Sequence, residues 1–205
     1  MELFNTSGDF QNPLSSFENT DNIIFGLGNP GEQYALTRHN IGFIIADAVI
    51  ESLDSVKTTQ FGDAEIKTGI LNTKRVAVVK PLTYMNRSGI AVEAVMKAVD
   101  LPLSAAIVIV DDFNIPMSTL RVRKNGSPGG HNGLKSIQAH IGTEYSRLRI
   151  GIGPLPYGLS VIDFVLGQFS EQDFIALKEI IPKAVDALKL FLVNGVEAAM
   201  NAYNK

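Results

Sequence analysis

The chain of 205 residues contains no cysteine. Disulfide bonds, thiolate nucleophiles and zinc sites built on thiolates are therefore excluded together. The chain also has no apolar run near the roughly 20 residues that a membrane helix needs. Residues 1–20 have neither the basic nor the apolar region of a secretory signal. We therefore expect a cytoplasmic protein without a membrane partner.

Several catalytic signatures are missing as well. No G-x-S-x-G segment is present, which argues against a serine hydrolase. No H-E-x-x-H or H-x-x-E-H segment is present either, so we expect no catalytic metal. Without a thiol, acid–base chemistry near neutral pH is left to His39, His131 and His140. His140 lies near the end of a predicted helix, where a capping role is the favoured interpretation.

Basic residues are few overall but concentrated in one stretch. The net charge is −3, which taken alone argues against a nucleic-acid partner. Residues 116–150, however, carry six basic side chains and one acid, so the rest of the chain carries −8. Such a basic face on an acidic body can attract phosphate groups. An ordinary solvated surface is the alternative interpretation.

The order of apolar segments predicts a single α/β domain with a twisted mixed sheet flanked by helices. We expect a flexible N-terminal extension over residues 1–21 and one domain over residues 22–205. No internal repeat or linker interrupts that domain. The predicted strands cover residues 22–26, 65–71, 74–80, 105–110, 120–123 and 147–152. The predicted helices cover residues 41–53, 90–99, 133–141 and 171–202, the last with a break at Pro182.

The segment GLGNPG at residues 26–31 matches the G-x-G-x-x-G pattern after a predicted strand. A dinucleotide-binding fold needs its last glycines to open a helix at once, whereas Pro30 and Gly31 form a turn pair. The acid at the expected spacing, Glu51, lies in a predicted helix rather than after a second strand. A nucleotide-dependent oxidoreductase is therefore a weak alternative. Glycines here would also allow the backbone to approach a ligand closely.

Two histidines are each followed by asparagine in a polar loop: His39 in TRHN and His131 in SPGGHNG. Asp111 and Asp112 follow an apolar stretch, at a strand end where open α/β sheets place their ligands. An aspartate there could accept a hydrogen bond from an imidazole and fix its tautomer. Structural histidines and surface turn acids are the alternative interpretation.

The segment KPLTYMNRSG at residues 80–89 connects a predicted strand to a predicted helix. Asn86 or Ser88 could cap that helix. Alternatively, the amide of Asn86 points into a pocket and donates a hydrogen bond to a substrate carbonyl.

Together these segments resemble the bacterial-type peptidyl-tRNA hydrolase family. The resemblance lies in GLGNPGEQYALTRHNIG at 26–42, KPLTYMNRSG at 80–89 and SPGGHNGLKSI at 127–137. It continues in RLRIGIG at 147–153 and DFVLGQFS at 163–170, and it covers the chain from about residue 22 onward. Three long motifs in the order of the family make it highly specific.

The resemblance implies hydrolysis of the ester between a peptide and tRNA by a monomer, without a metal or other cofactor. The catalytic histidine of the family matches His39, and its partner aspartate matches Asp111. His39 would take a proton from water, Asp111 would orient the imidazole, and Asn86 would stabilise the oxyanion. The positions implied to bind substrate or tRNA phosphates are Asn29, Tyr34, Met85, Asn132, His131, Arg121, Arg123, Arg149 and Lys135. A binding-only RNA module on the same fold is the alternative, although it would not need the histidine–aspartate pair.

The sequence departs from the family pattern at three positions. Asn114 replaces a common acid, Ser118 stands where a turn glycine is frequent, and Tyr84 replaces the usual phenylalanine. None of these removes the histidine–aspartate pair. They leave open the geometry of the loop after Asp111.

Overall fold

The computed structural model describes Phe17 and residues 19–204. Within these residues, seven strands follow one another: β1 (Asn22–Gly26), β2 (Asp54–Phe61), β3 (Ala64–Leu71), β4 (Lys74–Pro81), β5 (Ala106–Pro116), β6 (Leu120–Arg123) and β7 (Ser146–Gly153). The helices are α1 (Ile41–Glu51), α2 (Ser88–Val99), α3 (Asn132–Ile141), α4 (Val161–Leu166) and α5 (Glu171–Tyr203). Short 3-10 helices cover Glu32–Tyr34, Arg38–Asn40, Met85–Arg87 and Leu103–Ala105.

All seven strands form one mixed sheet in the order β2-β3-β4-β1-β5-β7-β6. The four central strands β4, β1, β5 and β7 are parallel, and the outer strands pair antiparallel. Central parallel strands are covered on both faces, which explains why β1, β4 and the start of β5 read as continuous apolar runs. The predicted α/β domain with a mixed sheet is confirmed.

Helices cover both faces of the sheet and create two apolar cores. On one face, Ile24, Ile107 and Ile109 pack with α1 and α5. On the other face, Phe25 and Val108 pack with α2 and α3. The two sets alternate along β1 and β5 because successive side chains of a strand point to opposite faces.

Four elements differ from the prediction. Strand β2 was not predicted, because DSVKTTQF is almost wholly exposed and shows no apolar alternation. Strand β5 continues past the predicted end to Pro116 and so contains Asp111. The short helix α4 was not predicted. Pro182 does not break α5; the non-helical residue is Gly195, with φ 83°.

The predicted extension over residues 1–21 lies mostly outside the described residues. Phe17 is nevertheless buried and meets Phe61 edge to face, with ring centroids 6.1 Å apart. Asp21 accepts a hydrogen bond from the backbone N–H of Arg75 at 2.9 Å. Phe17 and Asp21 are therefore in contact with the domain, and the boundary at residue 22 remains a prediction.

The glycines after β1 allow α1 to lie directly against the sheet. A Cβ atom at Gly26 would clash with the carbonyl oxygen of Gly42, and one at Gly42 would clash with the backbone of Leu27. This close packing brings the start of α1 to the carboxyl ends of β1 and β5. Among the described residues, no helix is both long enough and apolar enough to cross a membrane.

Candidate active site

The candidate site lies at the carboxyl end of the parallel strands, where open α/β sheets bind their ligands. His39 lies in the one-turn helix Arg38–Asn40, which leads directly into α1. Asp111 lies in β5, beside β1. His131 precedes α3 as its N-cap residue. Three separate segments of the chain therefore meet at one edge of the sheet.

Asp111 accepts hydrogen bonds from two imidazoles at the same carboxylate oxygen. His39 Nδ1 lies 2.7 Å from Asp111 Oδ1, and His131 Nε2 lies 3.0 Å from it. The two imidazole rings are tilted, with centroids 4.9 Å apart. All three side chains are buried, so the hydrogen bonds are shielded from water. The Nδ1–H of His39 points at the carboxylate, which leaves Nε2 as a proton acceptor.

The second imidazole has a fixed tautomer. His131 Nδ1 accepts a hydrogen bond from the backbone N–H of Leu134 at 3.2 Å, which caps α3. A ring nitrogen that accepts cannot carry a proton, so the proton of neutral His131 resides on Nε2 and is donated to Asp111. His131 is thus a donor to the carboxylate, while His39 is the ring with a free acceptor.

Burial and the two imidazoles act in opposite directions on Asp111. Burial alone would raise the pKa of Asp111, because it disfavours the charged form. The charges of His39 and His131, together with their hydrogen bonds, outweigh this effect and hold the pKa of Asp111 well below its usual range. The carboxylate is therefore ionised at every pH at which an imidazole could act as a base.

The neighbouring Asp112 points the other way and has different partners. Arg149 Nε lies 2.9 Å from Asp112 Oδ2, so the two side chains form an ion pair. The N–H of Arg149 Nε does not point at the oxygen, and the contact is not a hydrogen bond. Asp112 Oδ1 accepts from both the backbone and the side-chain amide of Asn114, at 3.0 and 3.2 Å. The two aspartates therefore serve opposite faces of β5.

A pair of asparagines shapes the glycine loop after β1. Asn40 Oδ1 accepts from the backbone N–H of Asn29, and Asn40 Nδ2 donates to the carbonyl of Asn29, both at 2.9 Å. Asn29 Oδ1 in turn accepts from the backbone N–H of Met85 at 2.8 Å. The side-chain oxygen of Asn29 is thereby occupied, so its NH₂ group is what remains for a ligand.

One pocket joins five of the predicted residues. His39, Asp111, His131, Asn132 and Arg149 all line it. The remaining polar part of the lining consists of Asp112, Gly129 and Gly130. The apolar residues of the lining are called the apolar side of the pocket below, and they are Phe113, Val161, Ile162 and Val165.

The other predicted residues lie outside this lining. Met85 is buried, and a Cβ atom on Gly133 would lie 2.6 Å from its sulfur atom. Tyr34 is half-buried and meets Tyr84 edge to face, with centroids 6.3 Å apart. Asn86 is exposed in the helix Met85–Arg87, and Lys135 is exposed on α3.

The arginines of β6 and β7 share one face of the sheet. Arg121 is paired with Arg149 and Arg123 with Arg147 across β6 and β7, and cross-strand partners point to the same side. These four residues are called the arginine row below. Arg147 is fully buried with its guanidinium carbon 4.4 Å from the centroid of the Tyr145 ring. Its guanidinium has no hydrogen-bond partner among the described residues.

His39, Asp111 and His131 also form a group of potential metal ligands, with their ligand atoms within 4.8 Å of one another. The fixed tautomer of His131 disagrees with such a site. Its Nε2 carries the proton, and a metal at that atom would require the Leu134 cap to be broken. In this arrangement the three residues form a hydrogen-bonded cluster instead.

The three departures from the family pattern have local explanations. Ser118 has φ 65°, a conformation that glycine adopts more readily, so a glycine at this turn is what the backbone favours. Asn114 bonds to Asp112 as described above. Tyr84 is exposed and contributes its ring to the contact with Tyr34. None of the three touches Asp111.

Sequence reasoning missed Asn40 and the apolar side of the pocket. The sequence shows Asn40 only as the polar residue after His39, and its structural role becomes evident from its burial in the fold. Three of the four apolar lining residues come from α4, whose six residues are too few for a helical period to be recognised.

Comparison with known proteins shows the family to which the chain belongs. The sequence model of the family described as peptidyl-tRNA hydrolase matches residues 23–205. The chain is 44% identical over 183 residues to a peptidyl-tRNA hydrolase of Thermotoga sp. (strain RQ2), covering 89% of this chain and 96% of that protein. A peptidyl-tRNA hydrolase of Fervidobacterium nodosum is 41% identical over 182 residues, with 89% and 95% covered.

Solved structures show the same similarity. The crystal structure of peptidyl-tRNA hydrolase from Acinetobacter baumannii superimposes with a TM-score of 0.83 at 33% identity. The match covers 90% of this chain and 96% of that one. Sequence and fold thus lead to one assignment: the chain belongs to the peptidyl-tRNA hydrolase family.

Proposed function

We propose that this member of the family hydrolyses the ester that joins a peptide, or an N-blocked amino acid, to tRNA, and so recycles the tRNA. The observation that carries the proposal is the 2.7 Å contact between His39 Nδ1 and Asp111 Oδ1 inside a pocket. This contact leaves Nε2 of a neutral imidazole free to accept a proton, which is the requirement for a general base. Ester hydrolysis by activated water then needs no metal or other cofactor.

The proposed reaction has two proton transfers at one atom. His39 Nε2 takes a proton from water while the water oxygen forms a bond to the ester carbonyl carbon. The bond from that carbon to the ribose oxygen then breaks, and the imidazolium returns its proton to the ribose alkoxide. Asp111 keeps the imidazole ring oriented and stabilises the imidazolium between the two steps. The products are a peptide with a free carboxyl group and a tRNA with a free ribose hydroxyl.

Uncharged amides and one tyrosine would position the substrate. Asn86 donates to the developing oxyanion, a kind of interaction worth roughly 3–4 kcal/mol in the transition state. The free NH₂ group of Asn29 and the side chain of Asn132 bind the peptide backbone. Tyr34 and Met85 contact the substrate next to the scissile bond. Amides suit this task because every peptide offers the same backbone groups, whatever its sequence.

The phosphates of tRNA would be bound by the accessible part of the basic surface. Arg121 is exposed and Arg123 is partly exposed on the edge strand β6, and Lys135 is exposed on α3. Arg149 reaches from β7 into the pocket beside His39. Guanidinium groups bind phosphate through paired hydrogen bonds. We further propose that the protein acts as a monomer in the cytoplasm, where its substrate is made.

The test is release of labelled peptide from an N-blocked aminoacyl-tRNA, with EDTA present and a free-amine aminoacyl-tRNA as the control substrate. We expect cleavage of the blocked substrate alone. His39→Ala should lower turnover by about 10²- to 10⁴-fold, the usual contribution of a general base, while tRNA binding is retained. His140→Ala, which removes an exposed imidazole bonded to Glu93, should leave turnover unchanged. Normal turnover of His39→Ala would exclude this mechanism, and tRNA binding without any cleavage would favour a binding-only RNA module.

A further inference from the structure

The segment before His39 runs alongside the segment that joins α4 to α5. The backbone N–H of Arg38 donates to the carbonyl of Gly167, and that of Phe169 donates to the carbonyl of Leu36, both at 3.0 Å. Thr37 and Gln168 form an antiparallel bridge between them. The residue that precedes His39 is therefore attached directly to the end of α4.

The side chain of Arg38 continues this attachment. Its Nη2 lies 3.0 Å from Asp173 Oδ2, and its Nη1 donates to the carbonyl of Phe164 at 3.5 Å. The guanidinium carbon lies 4.8 Å from the ring centroid of Phe164 and 5.8 Å from that of Phe169. The guanidinium group thus makes polar contacts at its edge and aromatic contacts at its face. Arginine can make both kinds of contact at once, whereas lysine has no planar group to do so. The side chain is 17% exposed, so these contacts are partly shielded from solvent.

The partners of Arg38 are themselves fixed in place. Asp173 also accepts from the backbone N–H of Ser170 at 2.9 Å, completing the capping box of α5. A Cβ atom at Gly167 would lie 3.0 Å from Arg38 Nη1, so the absence of a side chain at this position lets the guanidinium approach. Arg38 therefore links the start of α5, the end of α4 and the helix that carries His39.

Helix α4 contributes most of the apolar side of the catalytic pocket. Val161, Ile162 and Val165 line the pocket that contains His39. The helix has only six residues, and its main packing partner is the one-turn helix Arg38–Asn40. Phe164 and Val165 of α4 are buried in the core on the α1 and α5 face. The polar contacts that join α4 and its end to the segment before His39 are made by Arg38, to the carbonyls of Phe164 and Gly167.

We propose that Arg38 is a positioning residue that holds this apolar side of the pocket in register with His39. The proposal rests on the function proposed above, because the pocket is the one in which the ester would be cleaved. Arg38 acts through α4 and does not touch the reacting atoms. Its loss should therefore weaken the placement of the substrate while the bond between His39 and Asp111 remains.

The test compares Arg38→Lys with wild type in two measurements. Arg38→Lys keeps the charge and loses the planar group, so we expect kcat/KM to fall by about tenfold to a hundredfold, as ångström-scale misplacement does. The fall should appear mainly in KM, and the acid limb of the pH profile should not move. Amide hydrogen exchange, followed by mass spectrometry without substrate, should become faster in α4 and remain unchanged in the central strands. Lys97→Gln, which removes an exposed ion pair on α2, is the matched control and should change neither measurement.

Asp173→Asn removes the same ion pair by changing the acidic partner instead of Arg38. This variant tests the proposal even if Arg38→Lys fails to fold. The two substitutions should be non-additive in kcat/KM, as expected for groups in direct contact. The surface substitution Asp186→Asn on α5 is the control for Asp173→Asn. Unchanged KM and α4 exchange in both variants would overturn the proposal, and so would faster exchange throughout the sheet. Because exchange is measured without substrate, a failure of the proposed function would leave this result intact.

Discussion

At the scale of single residues, the carboxylate of Asp111 is the most constrained group of the site. It is buried, and one of its oxygens accepts from two imidazoles. Removing its charge leaves His39 without the partner that orients its ring. The same carboxylate also links the folding stability of the protein to pH, because its pKa is lowered in the folded state.

This link gives a prediction for acidic solutions. A carboxyl group with a lowered folded pKa contributes stability above its unfolded pKa of about 3.9, and this is lost as the pH falls through the folded value. Asp111→Asn lacks the ionisable group. The free energy of unfolding of wild type, relative to that of Asp111→Asn, should therefore fall as the pH drops below about 4.

Urea denaturation at a series of pH values measures this difference. Asp186→Asn, on the surface of α5, serves as the control and should follow wild type throughout. A difference between wild type and Asp111→Asn that stays the same down to pH 3 would contradict the lowered pKa.

The sequence predicted some contacts of single residues in the site and could not predict others. The position of Asp111 after an apolar stretch left its role open, and the resemblance to the family implied that it would meet His39, as it does. The second imidazole on the same oxygen could not be predicted, because it depends on where α3 begins and on the cap that His131 gives to Leu134. The role of Arg38 was likewise hidden, since its partner Asp173 is remote in sequence.

At the scale of secondary-structure elements, the strands were predicted where burial produced an apolar pattern. Strand β2 was missed because an exposed edge strand needs no such pattern. The end of β5 was placed too early because two aspartates look like a strand end, whereas here their charges are compensated by imidazoles and Arg149. In α5, Pro182 is accommodated inside the helix, and the turn at Gly195 redirects the last part of the helix towards β6.

The end of α5 supports the edge of the sheet. Asn204 Oδ1 accepts from the backbone N–H of Val122 at 2.7 Å, and Asn204 Nδ2 donates to the carbonyl of Val122 at 2.9 Å. Strand β6 lies at the edge of the sheet, so this amide takes the place of a neighbouring strand. It pairs backbone groups in the middle of the strand that carries Arg121 and Arg123.

We predict that Asn204→Ala lowers the free energy of unfolding by about 1–3 kcal/mol, the cost of leaving partly buried backbone groups unpaired. Urea denaturation gives the value, and Asn201→Ala, an exposed asparagine on the same helix, is the control within about 0.5 kcal/mol of wild type. Equal stability of the two variants would show that the amide bonds to Val122 are not needed.

At the scale of the whole molecule, charge is distributed unevenly. The net charge is −3, yet the arginine row occupies one face of the sheet edge. Arg147 is buried without a polar partner among the described residues, so its charge is not neutralised locally by any of them. The positive potential of Arg147 adds to that of the other arginines in the row. The rest of the molecule is negatively charged and repels nucleic acid.

Affinity for tRNA should therefore fall as the salt concentration rises, with a slope set by the number of phosphates that the accessible arginines of the row contact. We predict that Arg123→Gln weakens tRNA binding and reduces the slope of log Kobs against log salt concentration by about one phosphate contact. Fluorescence anisotropy with labelled tRNA over a range of salt concentrations measures the slope. Lys97→Gln, on α2 and outside the row, should leave it unchanged. Equal slopes for Arg123→Gln and wild type would remove Arg123 from the phosphate surface.

The strand order also determines when the protein can begin to work. Strand β1 is synthesised first among the strands, yet it lies between β4 and β5, which leave the ribosome only after residues 81 and 116 have been added. The pocket then needs His131 and α4, and the proposed contact of Arg38 needs Asp173. Such pairings between distant segments form late in folding. A copy of this chain that stalls during its own translation is thus a peptidyl-tRNA without an active site, and its release depends on copies made before it.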